Sequence, residues 1–254
     1  MEGYEVRFLY DRAALLLYSR AQRHIVLGDL HLGLEKKLYD KGVRLYGAAE
    51  HMAKQIKKLA KDHKTDSVIL LGDIKESILY PDTTERQGID EFFELLGDLK
   101  IRIAVGNHDG HLGSIVKVPI EDEIILGNVA LLHGHMWPSP KAMSKDYIIV
   151  AHNHVAISIK DEKGAIYNQK AWLVASVDPM GAEGRYGKFN KEIKLIVMPA
   201  FNDLIVGKPV SMDERHINPL FRNRIFDYNN AVVYTVRGDA IGTPSKLAKI
   251  SSPL

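Results

Sequence analysis

The 254-residue chain contains no cysteine. That absence excludes disulfide scaffolds, thiolate zinc sites and cysteine nucleophiles together, and restricts any metal site to nitrogen and oxygen donors. Long apolar runs are also missing. The most apolar stretches, such as Ala13 to Tyr18 and Val68 to Leu71, fall far short of the ~20 residues a membrane-spanning helix needs. The charged N-terminal stretch MEGYEVRFLYDR does not read as a signal peptide, so the expectation is a cytoplasmic protein with no membrane association. Charge of one sign is scarce as well: 34 Lys and Arg against 32 Asp and Glu leave a net +2. A grip on nucleic acid through the whole surface is therefore not expected, and any such grip must be local. No repeat, low-complexity tract or Pro/Gly/Ser linker divides the chain, so residues 1–254 read as a single domain.

What is present is a set of short apolar, β-branched runs, each ending in polar residues. They are His24-Ile-Val-Leu-Gly-Asp29, Ser67-Val-Ile-Leu-Leu-Gly-Asp73, Ile101-Arg-Ile-Ala-Val-Gly-Asn107, Asn128-Val-Ala-Leu-Leu-His133 and Tyr147-Ile-Ile-Val-Ala-His152. Each reads as a buried strand. Between them, Leu45, Ala49, Met52, Ile56 and Leu59, and then Ile89, Phe92, Phe93, Leu96 and Leu99, recur at helical spacing. Later runs (164–177, 192–199, 231–236) are strand-like with no long helix between them and suggest antiparallel pairing in a second sheet. The fold class expected is α/β, a two-sheet mixed β sandwich flanked by helices.

The strand ends carry the chemistry. In order they present Asp29 and His31, Asp73, Asn107-His108-Asp109, His133, and His152 with His154. Polar side chains at the C-terminal edge of an α/β sheet are placed where such sheets collect ligands. In Asp-x-His and His-x-His, positions i and i+2 of a strand face the same side and reach one site. Two carboxylates, an amide oxygen and four histidines exceed the needs of one tetrahedral ion and suit a pair of divalent ions about 3.5–4 Å apart. His135, two residues after His133, is a further candidate for substrate contact. His24, His51, His63, His111 and His216 lack such a context and read as surface or packing residues.

This ordered set resembles the calcineurin-like metallophosphoesterase superfamily over residues 28–154. The resemblance implies that Asp29, His31 and His154 hold one metal, that Asn107, His133 and His152 hold the other, and that Asp73 bridges them. It further implies two divalent cations, Mn²⁺ foremost with Fe, Zn, Ni or Mg as alternatives. His108 would meet the phosphate and the leaving oxygen, with Asp109 orienting its ring, in an in-line hydrolysis by hydroxide made available by the cations. One departure is Ala151, where the superfamily usually has glycine before His-x-His. Asp-Leu-His-Leu-Gly with Glu35 and Gly42, and later Pro199-Ala-Phe-Asn202 and Asn218-Pro-Leu-Phe, are similar to the archaeal phosphoesterases related to the SbcD-type nucleases and to bacterial phosphoesterases associated with DNA ligase. A second departure from the resemblance is that no counterpart of the long C-terminal extension of the full nucleases is expected, which counts against DNA-end processing. The activity implied is a phosphodiesterase, acting on single-stranded nucleic acid or a nucleotide. The alternatives are a phosphomonoesterase on the same site and, with every ligand type present, a less favoured non-catalytic scaffold.

Other segments read as structural. The lysines of 54–64 form a solvated helix face. Residues 178–189, with three spaced glycines, read as a hairpin tip. Arg215, Arg222 and Arg224 with Phe221 and Tyr228 are a weak basic-aromatic cluster of the kind that holds single strands.

Overall fold

The computed structural model describes residues 3–210 and 218–251. The first sheet runs β1 (Glu5–Leu9), β2 (Ala14–Tyr18), β3 (Arg23–Leu27), β4 (Ser67–Leu70), β5 (Lys100–Ala104) and β6 (Ile120–Glu121) in spatial order. β1 to β3 pair antiparallel, while β3 to β6 are parallel. The second sheet contains β7 (Ile124–Leu126), β8 (Val129–Leu132), β9 (Tyr147–Val150), β10 (Val155–Lys160), β11 (Ile166–Ser176), β12 (Lys194–Val197), β13 (Lys208–Pro209), β14 (Val232–Thr235) and β15 (Ala240–Gly242). β9 pairs parallel with both β8 and β12, and β11 pairs antiparallel with β10, β12 and β14. The fold is the expected mixed two-sheet α/β sandwich.

Side-chain alternation builds three cores from these sheets. Leu15, Leu17, Val26, Ile69 and Leu71 of the first sheet meet Val129, Leu131, Ile149, Trp172 and Ile196 of the second in the layer between them. The alternate positions face outward. Ile25, Leu27, Val68, Leu70, Ile101 and Ile103 pack under two helices, α2 (Ala48–Asp62) and α3 (Thr83–Leu96), that follow the short α1 (Leu34–Tyr39). Ile148, Val150, Leu173, Leu195 and Val197 are covered on the other side by α4 (Pro179–Tyr186) and α5 (Pro219–Arg222), and the chain continues through α6 (Pro244–Ser251).

The helix stripes fall where the spacing puts them, with ends that differ. Ala49, Met52, Ile56 and Leu59 are buried on α2, but Leu45 precedes the helix and is 38% exposed. Leu99 lies past α3, which ends at Leu96 with Gly97 as its C-cap. Residues 178–189 are not a hairpin tip. Asp178 caps α4 by accepting from the Met180 and Gly181 amides, with Pro179 as the first helical residue. Gly181 serves packing, because a Cβ there would sit 1.9 Å from the Arg224 carbonyl oxygen. Phe221 and Tyr228 are buried in the outer core of the second sheet, so the basic-aromatic cluster offers no free ring; Arg215 and His216 lie outside the described residues. No helix among the described residues is long and apolar enough to cross a membrane.

Candidate metal centre

The C-terminal ends of β3, β4 and β5 meet those of β8 and β9 along one edge of the sandwich. The ligand-type residues do not lie in the strands themselves. Asp29 (φ 57°), His31 (φ 45°), Asp73 (φ 50°), His152 (φ 72°) and His154 (φ 45°) all take left-handed backbone conformations just beyond the strand ends. Asp-x-His and His-x-His thus converge through tight left-handed turns, not through strand alternation. The turns are pinned to one another: the Asp29 amide donates to Gly72 O (3.1 Å), that of His31 to Asp73 O (2.9 Å), and that of Leu32 to Ile74 O (2.8 Å). Across the sheets, the His152 amide donates to both Asp29 carboxylate oxygens at 3.1 Å.

Three donor groups result: two share the Asp73 carboxylate, and the third is His31, Glu76 and His108 beside them. Asp29, His31, Asp73 and His154 bring one ligand atom each to within 4.8 Å of one another, and Asp73, His133 and His152 do the same. His31 Nε2 is 3.3 Å from His154 Nε2 and 3.6 Å from Asp73 Oδ2, and His154 Nε2 is 3.4 Å from Asp29 Oδ1. On the other side His133 Nε2 lies 3.3 Å from Asp73 Oδ2, 3.2 Å from Asn107 Oδ1 and 3.1 Å from His152 Nδ1. Every residue of the sequence-expected ligand set is therefore in the cluster.

The far nitrogens of two rings are tied down. His133 Nδ1 donates to Leu71 O (2.7 Å) and His31 Nδ1 to the Glu76 carboxylate (2.7 Å), which leaves each Nε2 facing inward. Hydrogen bonds of this kind fix tautomer and orientation in metal-binding histidines. Glu76 was not among the sequence candidates, and its only signal is an acid three positions after Asp73. It also receives the His108 ring, whose Nδ1 donates to the Glu76 carbonyl oxygen at 2.6 Å. Asp109 does not play the expected part. Its carboxylate accepts from the Ile74 and Gly106 amides at 2.8 Å each and so ties together the loops after β4 and β5.

The electrostatics suit cations. Burial works against a charged His133, yet its bond to Asp73 and the charges of Asp29 and Asp73 raise its pKa to about 9. Burial also opposes ionisation of Asp73, but contact with His133 and the His108 amide holds its carboxyl well below the usual range. Burial and the neighbouring His133 lower His152 to about 4. A proton is thus drawn to the middle of the cluster by the potential that would hold a metal. With only oxygen and imidazole donors, and two donor groups meeting at Asp73, the residues fit a pair of divalent ions.

His135 lies at the margin. Its ring is 5.3 Å from that of His133 and 6.2 Å from that of His152, and its shielded Nδ1 has no partner. It lines a cavity of about 350 Å³ with Asp122, Met136 and Trp137.

The profile of the calcineurin-like phosphoesterases matches residues 23–198. The chain belongs to that family. Calcineurin-like phosphoesterases use divalent metals, in keeping with the cluster. The solved structure of Pseudomonas putida nuclease MPE aligns over 94% of this chain and all of that one, with a TM-score of 0.58 at 16% identity, which bears on the fold. Yfce, a phosphoesterase from E. coli, aligns over 86% of this chain and 96% of its own at 12% identity, with a TM-score of 0.40. No curated protein sequence matches the chain.

Proposed function

We propose that this phosphoesterase is a two-metal phosphodiesterase acting on nucleic acid or nucleotides, with a chemistry close to that of the SbcD-related and ligase-associated phosphoesterases. The observation that carries the reading is the pair of donor groups sharing Asp73, with the His108 ring 4.9 Å from that of His31 at their rim. Asp29, His31 and His154 would hold one ion, Asn107, His133 and His152 the other, and Asp73 both; Mn²⁺ is the proposed pair, in a cytoplasmic protein. Bound there, divalent ions supply charge neutralisation on the phosphoryl oxygens and a water acidic enough to yield the nucleophile near neutral pH.

The chain's own residues do the rest. Glu76 holds His31 by its side chain and His108 by its main chain. His108 therefore keeps Nε2 free to meet the phosphate and donate to the departing oxygen, a role worth about 10²–10⁴-fold. Asp109 acts as a positioning residue for the two loops that carry Asp73 and His108. Among the described residues no arginine contacts the centre, so the extra charge of a terminal phosphate would go unclamped, which favours a diester.

The test is turnover with Mn²⁺, Mg²⁺, Zn²⁺ or no metal on a diester reporter, a monoester reporter, and single- and double-stranded DNA and RNA. Metal-dependent diester cleavage abolished in Asp73→Asn is the expected result. His108→Ala should keep its metal by calorimetry and lose about 10²–10⁴-fold in turnover. Activity on the monoester alone would overturn the diester reading, and none with any metal would overturn catalysis.

A further inference from the structure

The sandwich edge opposite the metal centre carries a second charged feature. There, at the N-terminal ends of β3, β4 and β5, lies an open groove of about 1200 Å³. Arg20 and Arg23 reach it from the β2–β3 turn, Lys61 and Lys64 from the end of α2, Lys100 from the start of β5 and Lys117 from the loop before β6. Arg102 also lines it, tied to Glu121 by its Nε and one Nη. Asp66 is the groove's one acid, and it pairs with Lys100 at 2.6 Å. Seven cations thus converge in a chain whose total charge is only +2, so the remainder of the chain is net negative. The C-terminus of α2 gives a local reason for Lys61 and Lys64. It gives none for cations arriving from three other segments.

We propose that this groove is a docking surface for the phosphate backbone of nucleic acid, separate from the metal centre. Cations spread over four segments match a ligand with repeated negative charges better than a single small anion. A protein partner is disfavoured because interfaces are anchored by apolar and aromatic side chains. None of the large exposed hydrophobic residues among those described lies in the groove. Ser67, in the groove, and Asp73, at the centre, stand six residues apart along β4 and its extension, roughly 20 Å at strand rise. The phosphate held in the groove is therefore not the one attacked. A long substrate is retained by contacts that a short one cannot make. The proposal deepens the phosphodiesterase reading, but its test measures binding and is independent of turnover.

The measurement is fluorescence anisotropy of a labelled 30-base-pair DNA duplex in EDTA, with salt varied, for the full chain and for Lys61→Gln/Lys64→Gln/Lys117→Gln. Contacts from Arg23 and the three lysines give an expected loss of affinity of about 150-fold between 50 and 200 mM salt, and the triple variant retains about a 4-fold loss, at ~0.9 log units of salt slope per phosphate contact. Lys117→Gln alone, outside α2, should lower the slope by about 0.9, which keeps the test valid if the triple variant unfolds. Turnover of a small diester reporter should be unchanged in both variants. A salt slope unaltered in the variants overturns the proposal. So does displacement of the duplex by poly-glutamate at equal charge concentration, since the groove would then favour an acidic protein.

Discussion

Gly28 and Ala151 form the seam between the two halves of the metal centre. Gly28 precedes Asp29 and Ala151 precedes His152, and Ala151 is fully buried. A Cβ built on Gly28 would lie 2.7 Å from the Ala151 Cβ, 2.9 Å from the Leu71 carbonyl oxygen and 3.1 Å from the Leu71 Cβ. Carbon pairs rest at about 3.5–4.0 Å, so Gly28→Ala forces the strand ends apart by roughly 1 Å. The cost of such overpacking is about 1–3 kcal/mol. Ala151→Gly alone removes a buried methyl, about 0.8 kcal/mol, and adds the backbone entropy of glycine, about 0.5–1 kcal/mol.

The swap Gly28→Ala/Ala151→Gly moves the methyl across the seam and abolishes the tightest contact, while the clash with Leu71 O remains. The double variant should therefore be more stable than the sum of the single losses by about 1–2 kcal/mol, the coupling expected of residues in contact. Urea unfolding of all four proteins in EDTA measures this. Activity gives a second reading: the His152 amide donates to the Asp29 carboxylate across the seam, and about 1 Å of misplacement costs on the order of 10²-fold. Gly28→Ala should lose about that much turnover, and the swap should recover part of it. Single losses that add to within about 0.5 kcal/mol would refute the claim that one methyl between the sheets sets their spacing. They would also leave the alanine before His-x-His without a structural account.

Three further outcomes follow from the same contacts. Glu76→Gln removes the carboxylate that orients His31 but keeps the main-chain acceptor for His108, so Mn²⁺ affinity measured by calorimetry should fall about 10–100-fold, and unchanged affinity would separate Glu76 from the centre. Gly88→Ala, inside α3 with no atom within 4 Å of the new methyl, should stabilise the protein by about 1 kcal/mol in urea unfolding, with turnover untouched. His154→Gly relieves a left-handed residue (φ 45°) and should raise metal-free stability by about 1 kcal/mol while sharply weakening Mn²⁺ binding; a stability loss would show that His154 is not strained.

Much of this cluster is legible in the sequence because most of the candidate ligands close an apolar run, and apolar runs become strands whichever residue follows. Asp29, Asp73, Asn107, His133 and His152 could therefore be placed at strand ends in order. Glu76 escaped because half of its part is played by a main-chain carbonyl, which residue identity does not mark. The part that the resemblance implies for Asp109 fails for the converse reason: residue identity matches, whereas the turn sends its carboxylate back to the Ile74 and Gly106 amides. In 178–189 the three glycines suggest a hairpin tip, whereas Asp178 and Pro179 cap and start a helix. Gly181 is there for the approach of Arg224, a contact 43 positions away that local spacing cannot reveal.

The left-handed turns are the least legible feature and the one on which the geometry depends. Asp29, His31, Asp73, His152 and His154 are five of the nine non-glycine residues with positive φ among those described, and each such residue costs about 1–2 kcal/mol. Glycine would meet the backbone demand at less strain, and at Gly72 and Gly134 it does, but glycine brings no donor atom. The fold holds the strained conformers by extending its hydrogen bonding past the strands: Asp29, His31 and Leu32 donate in turn to Gly72, Asp73 and Ile74, and Ala151 donates to His133 O at 2.9 Å. Because those bonds run between backbone atoms of adjacent parallel strands, strand register sets where each candidate ligand side chain begins. The donor groups are thus assembled by the sandwich itself, with the carboxylates of Asp29 and Asp73 brought among histidines by the packing of the two sheets. A cation entering the cluster would meet donor atoms already brought within 4.8 Å of one another.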